Sequence, residues 1–345
     1  MTLFLQQKKL FKVKHNRNNI YMKQILMTGV GAYLPKKILT NEELSTFLET
    51  DDNWIRQRTG IISRRKAEQE ELTSDLAVNA ANKALKCAGV SVSEIDCIIL
   101  ATTTPDCTFP STATIVQQKL GANNAFAFDV QAVCAGFVYA LSIANGLMSA
   151  GQGKNTLVIG AETFTKLLDW GDRTTCVLFG DGAGAVVLQT EDSEDGYGII
   201  ANTLHSDGRY KDILYVDGGV STTGTIGYVK MRGREVFRHA VEKLASAMDE
   251  VLELANLTSD DIDWLVPHQA NIRIINAMQK KLNLPDNKVI KTVSEHANTS
   301  AASIPLALAF GVESGKIKPG HLLALEAIGG GLTWGASLVR YGRPD

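Results

Sequence analysis

No stretch of the chain holds the ~18 consecutive apolar residues that a membrane-spanning helix needs, so no transmembrane segment is expected. Cysteine is scarce. There are five (Cys87, Cys97, Cys107, Cys134 and Cys176), with no CxxC pair among them. An odd count without metal-type spacing argues against a disulfide scaffold or a zinc cluster and suits a reducing, cytoplasmic setting. Neither sign of charge dominates: Lys and Arg total 35 and Asp and Glu 37, a net charge of −2. A broadly basic nucleic-acid binder is thereby excluded. What is present is an ordinary globular composition, 45% hydrophobic and 21% charged over 345 residues. That is enough for a large core and for two domains.

One segment differs from the rest. Residues 1–21 carry Lys8, Lys9, Lys12, Lys14 and Arg17 and no acid. Their apolar stretch is too short for a signal-peptide core, and the serine of a transit peptide is missing. They read as a disordered extension, or as an upstream start with Met22 the natural first residue.

From residue 22 the pattern alternates short apolar strands with helices. KQILMTGVGAYLP reads as a strand and a turn, and 40–61 as a short helical region capped at Thr40 or Asn41. Helices are expected at 74–89 and 111–121, and strands at 97–104, 125–130 and 156–162. CVLFGDGAGAVVL (176–188) reads as paired strands around a glycine-rich turn.

The stretch DVQAVCAGFVYALSIANGLMSAG (129–151) places Cys134 where a strand becomes a helix. Phe137, Ala140, Leu141, Ala144, Leu147 and Met148 recur at helical spacing, and Gly151 stops the helix. Free N–H groups and the helix dipole at such a position favour a thiolate. The plainer alternative is a buried structural cysteine.

The second half repeats the first. ALKCAGVSVSEIDCIILATTT (84–104) resembles EVLELANLTSDDIDWLVPHQA (250–270), and FGDGAGAVVL (179–188) has a counterpart in IGGGLTWGASLV (328–339). Cys134 lies 17 residues before Gly151, as Asn298 lies 17 before Gly315. Two similar α/β halves are implied, with ligands collecting beyond strand ends near helix N-termini. Cys134 starts one such helix, Asn298 starts its counterpart, and His268 ends a buried strand after Pro267. Asn298 also suits a helix cap, and both roles can hold together.

Cys, His and Asn together fit two chemistries. A hydrolase would use His as base and Asn as its orienter. A carbon–carbon bond-forming synthase would hold an acyl group on Cys, with His and Asn stabilising an enolate formed by decarboxylation.

DVQAVCAGF, VPHQAN, HANTSAASIP and EAIGGGLTWGASLVRY, in this order and spacing, resemble the β-ketoacyl-[acyl-carrier-protein] synthase III family of thiolase-fold condensing enzymes. The resemblance covers about residues 22–345. It implies an α/β, five-layered αβαβα fold of two pseudo-symmetric halves, 22–195 with the nucleophile and 196–345 with His and Asn, normally as a homodimer. It implies an acyltransferase that initiates fatty acid synthesis. A short acyl-CoA would condense with malonyl-acyl carrier protein through an acyl-Cys134 intermediate. No cofactor is implied beyond the CoA thioester and the carrier's phosphopantetheine, and no nucleic acid or membrane. His268 and Asn298 would drive decarboxylation, and the N–H groups of Cys134 and Gly330 would form the oxyanion hole. Trp54, Arg58, Arg173 and Asn271 would bind CoA, with the adenine between Trp54 and Arg173. Phe109 would reach across the dimer to close the partner's acyl pocket. An acidic carrier would meet a basic surface containing Arg238 and Arg273, with Arg232, Arg234, Lys243, Lys280 and Lys281 nearby.

Ile328 departs from the family, whose members carry Phe there; this bears on the acyl pocket. A degradative thiolase would need a second Cys in EAIGGGLTWGA, which has none. A polyketide- or signal-forming relative, a non-catalytic partner subunit and a Cys-dependent thioester hydrolase are the other readings.

Overall fold

Residues 97–101 are apolar at every position, the pattern of a strand covered on both faces. In the computed structural model, which describes residues 23–193 and 195–344, all five are fully buried. The basic segment 1–21 lies outside the described residues.

Two mixed sheets organise the chain. The first has the order β1 (Lys23–Tyr33), β7 (Gly182–Asp192), β6 (Asn155–Glu162), β4 (Cys97–Ala101), β5 (Phe126–Val130). The second has β8 (Gly198–Ser206), β13 (Thr333–Arg340), β12 (Leu322–Gly329), β11 (Trp264–Pro267). Directions match strand for strand: two antiparallel pairings, then a parallel one. Beyond β4 the first sheet adds β5 in parallel; beyond β11 the second keeps only a parallel bridge from Leu265 to Val289. Two ribbons, β2 (Lys37–Thr40) with β3 (Ser63–Lys66) and β9 (Leu214–Val216) with β10 (Val229–Met231), lie outside the sheets.

The helices are α1 (Asn41–Ser45), α2 (Asp52–Thr59), α3 (Thr73–Ala88), α4 (Thr112–Leu120), α5 (Gly136–Ser149), α6 (Gly233–Ala255), α7 (Ile272–Lys281), α8 (Val293–His296) and α9 (Ser303–Glu313). Helices α3 and α4 cover the outer face of the first sheet, through Leu76, Ala80 and Val116 against Ile98, Leu100 and Ile159. Helices α6 and α7 cover the outer face of the second, through Met248, Val251 and Ile275 against Leu265, Ala324 and Leu338. Between the sheets lie α5 and α9, with Phe137, Leu141, Ile304 and Leu308 packed on Ile99, Val158, Leu323 and Leu325. The result is the five-layered αβαβα arrangement. Burying side chains of this size contributes roughly 1.5–3 kcal/mol each, which is why α5 and α9 are mostly apolar.

The repeated Ile-Asp pairs have a shared structural task. Asp96 accepts from Lys154 N–H at 2.7 Å and Asp263 from Leu322 N–H at 2.8 Å. Each thus fixes the start of the neighbouring strand, β6 or β12. Thr40 caps α1 by accepting from Glu43 N–H, whereas Asn41 is buried and bonds Ile61 O.

One expected element differs. Residues 176–188 are not paired strands: residues 174–178 form turns, Phe179 bridges to Asn298, and β7 is a single strand from Gly182. The glycines serve close packing instead. A Cβ on Gly184 would meet Leu306 N and Pro305 C at 2.6 Å.

Candidate active site

The nucleophile candidate sits on a short 3-10 turn, Val133–Ala135, that runs into α5. Val133 has φ +50°, a left-handed conformation that is costly for a β-branched residue. Cys134 is buried. Burial pushes its thiol up to about 12 and the Glu162 charge adds to this, while the Ser300 hydroxyl pulls it back. This corrects the expectation of a lowered pKa. The helix terminus is there, but the loss of hydration outweighs it, so the resting Cys134 side chain is a neutral thiol.

His268 follows β11 directly. Its N–H donates to Glu326 O at 2.8 Å, continuing the strand by one residue. The ring is buried, which lowers its pKa to about 3, so it is neutral at any physiological pH. Nδ1 lies 2.5 Å from Ser303 Oγ. With the hydroxyl donating to Nδ1, the ring proton resides on Nε2 and that nitrogen is a donor.

Asn298 lies two residues ahead of the 3-10 turn Ser300–Ala302 and pairs with Phe179. Its Oδ1 accepts from Ser300 N–H at 2.9 Å. The amide oxygen therefore does the capping and the Nδ2 group is left to donate elsewhere. The pairing of the two helices is shifted from the sequence expectation. Val133 and Ser300 are the equivalent left-handed residues (φ +50° and +49°), so Ala301, rather than Asn298, matches Cys134. The difference is taken up in helix length, 14 residues in α5 and 11 in α9.

The turn between β12 and β13 meets Cys134 from the other half. A Cβ on Gly329 would lie 2.6 Å from Cys134 N and 2.9 Å from Ala132 O, so only glycine allows this approach. Gly330, next in the turn, donates to no backbone acceptor among the described residues. The N–H of Cys134, at the start of its turn, likewise donates to no backbone acceptor among the described residues.

A cavity of about 420 Å³ joins Cys134, His268 and Asn298. Cys134, His268, Asn298 and Ile328 form its buried part; Trp54, Arg58, Asn271 and Arg273 line its outer part. Gly330 lines a neighbouring cavity of about 280 Å³ with Val133, Phe164, Leu167, Val229 and Ile226. Leu214 faces both. Not brought to either cavity are Arg173, Arg238 and Phe109, the last 83% exposed.

At the mouth, Arg58 lies 4.5 Å and Arg173 5.4 Å from the Trp54 ring centre. Arg173 also donates to Glu49 O. A base stacked between Trp54 and Arg173 requires Arg173 to move outward. Asn271 caps α7 through its oxygen and donates to Arg58 O at 3.0 Å, which leaves one amide proton for a ligand. Arg273 extends over Phe237 at 5.1 Å, and Arg238 lies 3.3 Å from His239 Nε2. The basic surface is smaller than the sequence suggests. Lys243 is drawn against Trp334 at 4.0 Å, Lys281 pairs with Asp249, and Arg232 pairs with Glu235.

Two features were missed in the sequence. Ser303 is one; aligning the repeats on Asp96 and Asp263 would have set Ser303 opposite Gly136 and His268 opposite Ala101. The other is Glu162 at the end of β6, fully buried, which accepts from Thr103 N and from the hydroxyls of Thr102, Thr103 and Thr104. Burial raises its pKa, and these donors oppose the shift. Its only sequence signal is the Thr-Thr-Thr run. Among the described residues no group of three or more His, Cys, Asp or Glu could hold a metal ion, and no helix is long and apolar enough to cross a membrane.

Family models described as 3-oxoacyl-[acyl-carrier-protein] synthase III and its C-terminal region match residues 128–208 and 252–341. The β-ketoacyl-[acyl-carrier-protein] synthase III of Erythrobacter litoralis is 59% identical over 314 residues, 91% of this chain and 98% of that one. The Ruegeria sp. (strain TM1040) enzyme of the same name is 58% identical over 322 residues, 92% of this chain and 99% of its own. The solved 3-oxoacyl-[acyl-carrier-protein] synthase III of Aquifex aeolicus superposes with a TM-score of 0.87 at 47% identity, covering 92% of this chain and all of that one. The chain therefore belongs to the 3-oxoacyl-[acyl-carrier-protein] synthase III family.

Proposed function

We propose that the chain initiates fatty acid synthesis by decarboxylative condensation of a short acyl-CoA with malonyl-acyl carrier protein, and that Cys134, His268 and Asn298 divide the work. Cys134 attacks the acyl-CoA thioester. The N–H groups of Cys134 and Gly330 hold the oxyanion, CoA departs with the thiol proton, and the acyl group stays on sulfur. Malonyl carrier then enters the same cavity. His268 Nε2–H and Asn298 Nδ2–H donate to its thioester oxygen as carbon dioxide leaves. The carbanion attacks the acyl-Cys134 carbonyl, β-ketoacyl carrier is released, and the sulfur takes up one proton.

The observation that carries this reading is the partner of His268. A Cys hydrolase needs Asn to orient the imidazole, leaving the other nitrogen as base. Here Ser303 holds Nδ1, and Asn298 is capped onto Ser300. With the Ser303 hydroxyl donating to Nδ1, both side chains are left as donors, the arrangement an enolate requires.

The remaining assignments follow. Trp54, Arg58, Arg173 and Asn271 bind CoA. Arg238 and Arg273 meet the acidic carrier. Residues 22–195 and 196–345 are the two functional halves. The chain works as a cytoplasmic homodimer, with the exposed Phe109 closing the partner's acyl pocket. Ile328, beside Leu214 in the cavity lining, shapes the acyl site.

Intact-protein mass spectrometry with a panel of acyl-CoAs, followed by malonyl carrier, tests this. A single adduct on Cys134 that is consumed as β-ketoacyl carrier appears is expected. An adduct that decays to free acid without malonyl carrier would instead establish a hydrolase.

A further inference from the structure

We propose that Thr333 is a positioning residue for the oxyanion hole, because its hydroxyl ties the nucleophile turn of one half to the glycine turn of the other. The inference rests on the assignment of Cys134 N–H and Gly330 N–H to that hole. Those two amides come from chain segments nearly two hundred residues apart in sequence. No shared element sets their relative position, so contacts between the turns must.

Thr333 Oγ1 donates to Ala132 O at 2.9 Å and lies 3.3 Å from Gly330 O. A hydroxyl has one proton, and the shorter distance gives it to Ala132. The glycine turn is itself held fast: Asp207 N–H donates to Leu332 O at 2.8 Å and Leu332 N–H to Asp207 O at 3.0 Å. Thr333 is paired with Gly329 on one side and Ser206 on the other. It is therefore a fixed platform, and the nucleophile turn is what it holds.

That turn needs holding. Val133 follows the carbonyl that Thr333 grips, and its peptide supplies the Cys134 N–H. A valine at φ +50° is strained and relaxes toward negative φ when released. Relaxation would rotate the Val133–Cys134 peptide and swing its N–H away from the oxyanion. The second bond on Ala132 O, from Ala135 N at 3.0 Å, lies within the turn and cannot register it to the other half.

The test compares Thr333→Val, which keeps the shape and removes the hydroxyl, with Thr333→Ser, which keeps it. Single-turnover acylation by acyl-CoA, the KM for acyl-CoA and malonyl-carrier decarboxylation are measured for each. Thr333→Val is expected to slow acylation by about 10- to 100-fold, since small misplacements at such donors are costly. KM and decarboxylation should stay within about twofold, and Thr333→Ser should acylate near the wild-type rate. Adding Val133→Gly to Thr333→Val should recover acylation, because glycine adopts φ +50° unaided. If Thr333→Val does not fold, Thr333→Ala against Thr333→Ser carries the same contrast. Wild-type acylation by Thr333→Val, or equal loss of acylation and decarboxylation, would overturn the proposal. If the wild-type protein forms no Cys134 adduct, the oxyanion-hole assignment falls instead.

Discussion

The turns that lead into α5 and α9 are built alike, with a left-handed residue, one 3-10 turn and then a helix between the sheets, yet they carry different chemistry. In the first half the middle of the turn is Cys134; in the second it is Ala301. The strand ends differ in the reverse sense: Ala101 ends β4, and His268 follows β11 at the matching place. Even the support is exchanged. A Cβ on Gly136 would lie 3.1 Å from Ala101 Cβ, and at the equivalent place Ser303 bonds His268. The comparison teaches that the duplicated backbone repeats both positions, and that a reactive side chain stands at only one of each pair, Cys134 in the first half and His268 in the second, both lining one cavity. In the proposed mechanism that exchange gives the acyl group to Cys134 of the first half and the stabilisation of the carbanion to His268 and Asn298 of the second.

The largest expected effect breaks the first half alone. Cys134→Ala should abolish the acyl adduct and reduce condensation on the order of 10⁴-fold or more, while malonyl decarboxylation persists. Breaking the second half, His268→Ala or Asn298→Ala should lower decarboxylation and condensation by about 10²- to 10³-fold. Both variants should still acylate in a mass-spectrometric assay. Gly329→Ala joins the halves in a single failure. Its new Cβ would sit 2.6 Å from Cys134 N, so acylation should fall by roughly 10²-fold. Ser303→Ala should be milder, about tenfold on decarboxylation, because the imidazole loses the partner that fixes its tautomer.

The smallest effect is on stability. Burial raises Glu326 to about 8 in the folded chain, against an ordinary value near 4.5. The native state therefore holds a proton that the unfolded chain releases, and stability should decline as pH rises from about 4.5 through 8. Glu326→Gln should flatten that slope in denaturant melts between pH 5 and 9. His268 acts in the opposite sense. Its pKa is depressed to about 3, so it removes stability as pH falls below about 6.5.

Much of this was legible in the sequence where the cause is local. The helices at 74–89 and 111–121, the buried strand expected at 97–104 (which ends at Ala101) and the repeat follow from periodicity, caps and paired motifs a few residues long. The family motifs named Cys134, His268 and Asn298, and the fold brings all three to one cavity. What escaped depends on contacts distant in sequence. Phe179 bridges to Asn298, which no local pattern at 176–180 announces. The Cys134 thiol is pushed up by burial between layers, whereas its sequence shows only the helix terminus. Lys243 looked like part of a charged face and is spent on Trp334, 91 positions along the chain. Ser303 was hidden because a serine in a helix's first turn has many ordinary uses.

In the proposed mechanism the nucleophile belongs to one half and the decarboxylation donors to the other. That division is tested most directly by measuring carbon dioxide release from malonyl carrier by the Cys134→Ala protein beside that of Cys134→Ala/His268→Ala. Release that continues in the first and falls by about 10²-fold or more in the second is the predicted result. Equal release by both, or none from Cys134→Ala, would contradict the division.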